Sequence, residues 1–489
     1  MTHYCHLLVG ETTPFSDKIS VNTSQESHFA KSLLNDKPHP HSHQQMIILV
    51  GCLFILGVCT HFFRLTQPDE VVFDETHMGK FVSAYVGSGE HFFDIHPPHG
   101  KLIIAAFSYL GGYRGTFPFH NIGAPYGPEP VFWLRLAPAI SGIGIPVIFF
   151  FLLHQFGASI LAAFLGGLAV VFENALLLET RLLLFDGILI ASFLASLLFF
   201  LLAEKRSGMN AFWLRILCGI MAGIAVGTKV TGLAIFGIFS IHSFVTVFQK
   251  KTRKETLRQL KGLVTILLPA VAVYLMGWWL HFALLDKPGP GDRFYQCTGY
   301  LFQDLIKAHY YLLSANLNLS QSHPDASPAW SWPLMKVTPF YWVKANRSIY
   351  LVGNPVVWWG TTFLMLCFLT ITVLKRVTSL EIRSEKDCPR LTWLALTGYV
   401  CCYLPLWSVK RVLFLYHYLS ALLFALAYVV LWLDRANWIL PTSLTQQRKS
   451  FYAVIALLVF GFLAVSPLTY GVSWGKYDEW LVSLLRSWR

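Results

Sequence analysis

Two pairs of adjacent carboxylates, Asp69-Glu70 and Asp74-Glu75, follow the first long apolar run of this 489-residue chain. A carboxylate can take the proton of a hydroxyl that attacks a carbon centre. A second carboxylate beside it can position the acceptor or raise the pKa of the first. Spacing alone does not choose between the pairs. Asp69 follows Pro68 and equally suits a turn, with Glu70 in the first turn of a helix. The stretch VFDETHMGKFVSAYVGSGEHFFDIHPPHGK (72–101) adds His77, Lys80, Asp94, His96, His99 and Lys101 to a protein that is only 13% charged. Pro97 and Pro98 stiffen the backbone between His96 and His99. That rigidity suits the wall of a binding site, a pair of metal ligands, or an elbow where the loop returns to the membrane.

The elements that must position these groups are membrane helices. The chain is 55% hydrophobic, and its apolar residues come in blocks rather than in alternation. Blocks of about 20 residues cross a hydrocarbon core. Eleven spans are read, at 45–63, 131–153, 157–177, 182–203, 211–227, 230–248, 263–285, 355–374, 391–409, 412–433 and 452–471. The run 101–112 is too short to span and is expected at the interface or re-entering. The loop 249–262 carries six Lys/Arg against one Glu. Lys205, Arg206, Lys375, Arg376, Arg383, Lys386, Arg390, Arg435, Arg448 and Lys449 also follow even-numbered spans, so these loops share one side, the cytoplasmic one. The expected organisation is a mobile cytoplasmic tail (1–44), a membrane domain (45–475) with large outer loops at 64–130 and 286–354, and an outer C-terminal tail (476–489).

The net charge of +12 follows from the same cytoplasmic loops and implies no nucleic-acid partner. The nine cysteines include no CxxC, and most lie within apolar runs as small core residues. The first 45 residues are polar, include His28, His39, His41 and His43, and lack the apolar core of a signal peptide. There is no Walker loop, no GxGxxG opening a helix and no HExxH. No stretch can supply a soluble nucleotide-binding domain, so a donor substrate should arrive in the membrane.

Cations at the outer ends of spans are the candidate anion ligands. Arg135 opens the second span, and Arg181 and Asp186 open the fourth. An Arg fork matches phosphate oxygens. The other reading is an ion pair holding helices together, Arg135 with a carboxylate or Arg181 with Asp186. Lys410 and Arg411 are cationic on the outer side, with Tyr416, His417 and Tyr418 following. A lipid phosphate and ordinary snorkelling to headgroups both fit them. Lys229, at the turn after the fifth span, is a weaker case of the same kind.

VFDETHMGKF and FFDIHPPHGK, with WLRLAP (133–138), ETRLLLFD (179–186), WSWPLMK (330–336), YLVGNPVVWW (350–359) and FLYHYLSAL (414–422), resemble the protein O-mannosyltransferases over roughly residues 45–475. These are glycosyltransferases of family 39. The resemblance implies an all-α polytopic membrane protein of the GT-C glycosyltransferase fold, with about 11 transmembrane helices and two large outer loops. It implies a polyprenyl-phosphate mannose donor and a Ser/Thr-containing protein acceptor, in contact with membrane lipids, and it allows a dimer. It favours Asp74-Glu75 as the catalytic pair, with Asp74 as base and Glu75 orienting acceptor or sugar. Arg135, Arg181 and Arg411 would hold the donor phosphate. His77, Lys80, Asp94, His96, His99, Lys101, Asp186, Asn354, His417 and Tyr418 would support the substrate site. No cofactor is implied. Asp74, Glu75, His96 and His99 could hold a divalent ion, but phosphate is already a good leaving group and basic side chains can replace a metal's charge.

Two departures from the family pattern stand out. Residues 286–354 leave no room for the β-trefoil (MIR) domain of eukaryotic members, which points to a bacterial-type protein in an inner membrane, with its N-terminus cytoplasmic and its site outside. Tyr416 and Ser420 stand where relatives carry His and Pro. The rival readings are transfer of another sugar from a polyprenyl-phosphate donor to lipid A or a glycan, and a lipid-linked sugar transporter. Transporters place polar groups near the bilayer midplane, whereas here they gather at the outer ends of helices.

Overall fold

The computed structural model describes residues 40–318, 322–378, 390–409, 411–436 and 444–488. His28 and His39 of the N-terminal stretch, Arg383, Lys386 and Lys410 lie outside them. The chain divides into Met1–Ile48 and Leu49–Arg489. Of the first unit, Pro40–Ile48 are described and are helical. The second unit holds everything discussed below.

Helix α1 (Pro40–Phe62) leads into the first loop, which folds into α2 (Glu75–Ser83), one π turn (Ala84–Ser88) and α3 (His99–Leu110). At 12 residues α3 is too short to cross a bilayer. Helix α4 (Val131–Gln155) contains Pro138 and Pro146, which a packed membrane helix tolerates. The expected span 157–177 is broken in two. Helix α5 (Ile160–Val171) stops, and α6 (Asn174–Glu179) starts afresh because the Glu173 carboxylate caps it, accepting from Leu176 N at 2.6 Å.

Four long helices follow: α7 (Asp186–Glu204), α8 (Gly208–Thr228), α9 (Ala234–Lys250) and α10 (Arg253–Leu284). The second loop carries α11 (Leu301–Asn318) and an antiparallel hairpin, β1 (Phe340–Lys344) with β2 (Arg347–Tyr350). The chain closes with α12 (Pro355–Thr378), α13 (Arg390–Tyr403), α14 (Leu419–Arg435), α15 (Leu444–Tyr470) and α16 (Lys476–Ser487). The stretch expected as an outer tail is therefore helical over most of its length.

Among the described residues, nine segments are long and apolar enough to cross a membrane. The other two expected spans are the broken α5–α6 pair and α13, whose 14 residues run into a 3-10 turn at Leu404–Ser408. The helices alternate in direction. Gln155, Glu204 and Arg258 meet at one end, through Lys205 Nζ to Gln155 Oε1 (2.8 Å) and Arg258 Nη2 to Glu204 Oε2 (2.9 Å). Both large loops leave from the opposite end.

Small residues let the helices that carry the site approach closely. Gly219, Gly223 and Gly227 form a stripe on α8. A Cβ on Gly219 would lie 2.2 Å from Ile266 O, and one on Gly223 would lie 2.6 Å from Ala270 O, both on α10. The third position takes a side chain instead. The His99 ring wedges between Gly227 and Gly277, with Nε2 to Val273 O at 2.8 Å. The HPPH elbow is thus a plug that joins α3 to α8 and α10. Gly227→Ala should lower stability by about 1–3 kcal/mol, because its Cβ would sit 2.1 Å from His99 Nδ1. Gly144→Ala, which meets only Ile148 Cδ1 at 4.0 Å, should leave the thermal midpoint in detergent unchanged.

Candidate active site

The two carboxylates of the Asp74-Glu75 pair have opposite environments. Glu75 is fully buried at the start of α2 and accepts five hydrogen bonds. Arg135 Nε and Nη2 grip Oε1 and Oε2 at 2.8 and 2.9 Å. Val72 N, Leu183 N and Tyr126 Oη donate at 2.8, 2.9 and 3.1 Å. Asp74 precedes α2, is half-buried, and among the described residues no group donates to its carboxylate. Burial, with Asp186 and Asp94 nearby and His77 and Lys229 opposing them, raises its pKa to about 6. Such a group is mostly ionised at neutral pH and is a stronger base than an ordinary aspartate.

The other acidic pair is structural. Glu70 accepts from Trp342 Nε1 at 2.9 Å and pairs with Lys344, which ties the first loop to β1.

The phosphate ligands expected from sequence need correction. Arg135 is completely buried, and all five of its N–H groups are committed. Beyond Glu75 they go to Leu65 O (3.1 Å), Pro68 O (3.1 Å) and Glu70 O (3.2 Å). It has none left for a phosphate, so it is the helix-holding ion pair. Arg181 donates to Phe63 O at 2.7 Å and Arg64 O at 2.8 Å, at the end of α1, and lies over the Tyr470 ring. It does not pair with Asp186. That carboxylate instead accepts from Lys229 Nζ at 3.0 Å, with the ammonium also over the rings of Tyr416 (5.0 Å) and Phe185 (5.7 Å).

Arg411 is half-buried, and among the described residues its side-chain hydrogen bond is Nη2 to His417 Nε2 at 3.4 Å. With the His417 proton on Nδ1 and donated to Phe414 O at 3.0 Å, Nε2 is the acceptor.

Lys229 and Arg411 border one cavity of about 700 Å³. Its other walls are largely apolar, including Val226, Leu233, Leu312, Leu317 and Leu413, with His96 at one side. Burial, reinforced by Lys229 and Arg411, holds His96 neutral. Lys229 also borders a narrow cleft with Asp186, Tyr416, His417 and Ser420. The arrangement can hold an anion on two cations at the edge of a largely apolar cavity. Lys229 carries more of the site than its sequence position suggested. Its signal was a lysine between two apolar spans.

The remaining predicted residues divide. Asp94 pairs with Lys101, which also donates to His96 O at 2.8 Å, fixing the loop from within. His77 and Lys80 are exposed on α2. Asn354 is buried as the cap of α12, donating to Phe172 O (2.8 Å) and Leu458 O (2.9 Å) and accepting from Val356 N (3.0 Å), so it faces no cavity. Tyr418 is buried among Trp358, Tyr399 and Tyr403. Asp74, Glu75, His96 and His99 do not fit a shared metal ion, because Glu75 is saturated and His99 faces Val273. No group of three His, Cys, Asp or Glu among the described residues is arranged to hold one.

The fold is that of a polytopic membrane protein of the GT-C class. A solved protein O-mannosyltransferase complex of S. cerevisiae, bound to the sugar donor, superposes with a TM-score of 0.82 at 18% identity, covering 89% of this chain and 91% of that one. The family model for dolichyl-phosphate-mannose-protein mannosyltransferase matches residues 51–286, and that for the C-terminal four-helix membrane region of protein-O-mannosyltransferase matches 301–488. The chain belongs to the protein O-mannosyltransferase family. Dolichyl-phosphate-mannose–protein mannosyltransferase 4 of Saccharomyces cerevisiae is 33% identical over 294 residues, 56% of this chain and 37% of that protein. Protein O-mannosyltransferase 1 of Drosophila pseudoobscura pseudoobscura is 35% identical over 252 residues, 49% of this chain and 27% of that protein. The matched stretches thus span about a third of those relatives' own length.

The contrast between neighbouring carboxylates is testable. Glu75→Gln and Arg135→Met should each destabilise the protein by about 3–5 kcal/mol, since each leaves a buried charge uncompensated. Asp74→Asn should leave the thermal midpoint in detergent at the wild-type value, because that carboxylate holds nothing.

Proposed function

We propose that this protein transfers mannose from a polyprenyl-phosphate-mannose donor to Ser or Thr hydroxyls of proteins. One observation carries the reading: a half-buried Asp74 carboxylate that accepts no hydrogen bond among the described residues and feels the charge of Lys229, which with Arg411 borders a lipid-sized, largely apolar cavity. Family membership supplies the sugar and the acceptor class. The isoprenyl chain lies along the apolar walls, and its phosphate meets the two cations. The acceptor hydroxyl attacks the anomeric carbon on the face opposite the phosphate while Asp74 takes its proton. The carbon–oxygen bond to phosphate breaks, and Lys229 and Arg411 hold the departing charge. The product has inverted configuration.

Arg135 and Glu75 contribute by holding the base in place. The basic loops favour a site on the outer face of the membrane, with the N-terminus cytoplasmic. The short second loop keeps a bacterial-type inner-membrane enzyme in this reading, and the two-chain assembly of the solved yeast neighbour supports a dimer. Polar groups collected at one end of the helices favour a one-sided enzyme over a transporter.

The test is label transfer from synthetic polyprenyl-phosphate mannose to Ser/Thr-rich peptides in membranes. Asp74→Asn should reduce the rate by about 10²–10⁴-fold at unchanged protein level. Lys229→Met should reduce it by roughly 10²-fold or more. Transfer should be lost as pH falls through about 6, because Asp74 must be ionised to accept the proton, and should level off above that. A wild-type protein that uses only other sugars, or only lipid acceptors, would keep the fold and move the function to the rival transferase.

A further inference from the structure

The residue directly before the base has an unusual backbone. Phe73 has φ +47°, in the left-handed region that bulky residues rarely enter. Such conformations persist only where their surroundings over-determine them. Here the surroundings come from the second loop. Phe73 N donates to Tyr341 O at 3.1 Å. The Phe73 ring stacks on the Tyr341 ring, with centroids 3.9 Å apart and planes 7° apart. Phe414 and Tyr416 meet Phe73 edge-on, each at 6.4 Å.

Tyr341 itself cannot shift freely. It is fully buried, and its hydroxyl donates to Glu179. The next residue, Trp342, holds Glu70 at 2.9 Å. Strand β1 therefore grips the first loop on both sides of Val71-Val72. On the far side of Asp74, Glu75 is fixed by Arg135. The Asp74 carbonyl accepts from His77 N and Met78 N, but among the described residues nothing holds its carboxylate, so the direction of that group depends on the backbone these two flanking anchors set.

We propose that Tyr341 is a positioning residue for the transfer reaction, locking Phe73 in its left-handed conformation and so aiming the Asp74 carboxylate at the acceptor hydroxyl. The proposal rests on the reading of Asp74 as base. General-base transfer needs heavy atoms about 2.6–3.2 Å apart. A misplacement of about 1 Å costs on the order of 10²-fold in rate.

The experiment uses the full chain in membranes, with polyprenyl-phosphate mannose and a Ser/Thr peptide, and separates kcat from KM. Tyr341→Leu and Phe73→Leu should each lower kcat by about 10–100-fold with the donor KM nearly unchanged. The double variant should lose no more than either single one, because both remove one contact. Tyr341→Phe keeps the ring and should recover most of the lost rate. The proposal is overturned if the losses add, if KM rises while kcat holds, or if Tyr341→Leu keeps a kcat within about twofold of wild type while Asp74→Asn is inactive. In those cases the base assignment stands. Continued transfer by Asp74→Asn overturns both. Should Tyr341→Leu fail to accumulate, Phe73→Leu decides alone, and a kcat near wild type overturns the proposal.

Discussion

The buried pair of Glu75 and Arg135 is the constraint on which the site depends. Taking both charges out of the solvent is costly, and only a nearly complete set of partners offsets it. Here the set is complete for the arginine, and the glutamate has five donors. Those partners come from the first loop, from α4 and from the segment before α7. Arg135 also gathers the carbonyls of Leu65, Pro68 and Glu70, so the loop leaving α1 is wound around one guanidinium. The interaction fixes the backbone that carries the adjacent carboxylate and leaves that carboxylate unengaged.

This divides labour between neighbours in sequence. Successive residues at a helix start point in different directions. Glu75 turns into the protein and is saturated, while Asp74 faces the partly accessible side and stays available. The same division recurs among the cations. Arg135 spends all its donors on carboxylate and carbonyl oxygens and Arg181 gives its Nη2 to two carbonyls, whereas Lys229 and Arg411 border the apolar cavity. Charge at the ends of membrane helices therefore has two uses. Groups facing backbone oxygens hold the bundle together, while Lys229 and Arg411 present part of their charge to a cavity.

The second loop is a working part of the first. Its hairpin supplies Tyr341, Trp342 and Lys344, each bound to a residue of the acidic segment. Close helix packing does the corresponding work from below. The glycines of α8 admit α10 and the His99 ring, which brings Lys229, at the end of α8, up to Asp186.

The class of fold, most of the helices and the stretch in which chemistry could occur are legible in the amino-acid sequence. Those follow from local composition, since apolar blocks of membrane length and the distribution of basic loops are properties of short windows. It also supplied the Asp74-Glu75 pair, through a motif rather than through spacing. Only the tertiary structure decided which member of a charged set is free. Whether Arg135 meets a phosphate or Glu75, whether His99 is a ligand or a plug, and whether Asn354 faces a cavity or caps α12 all depend on partners distant in the chain. Sequence records the donors a side chain carries, but their use is set by packing, and that is why Lys229 outranked the arginines and why Tyr341 met Phe73 across 268 positions unseen.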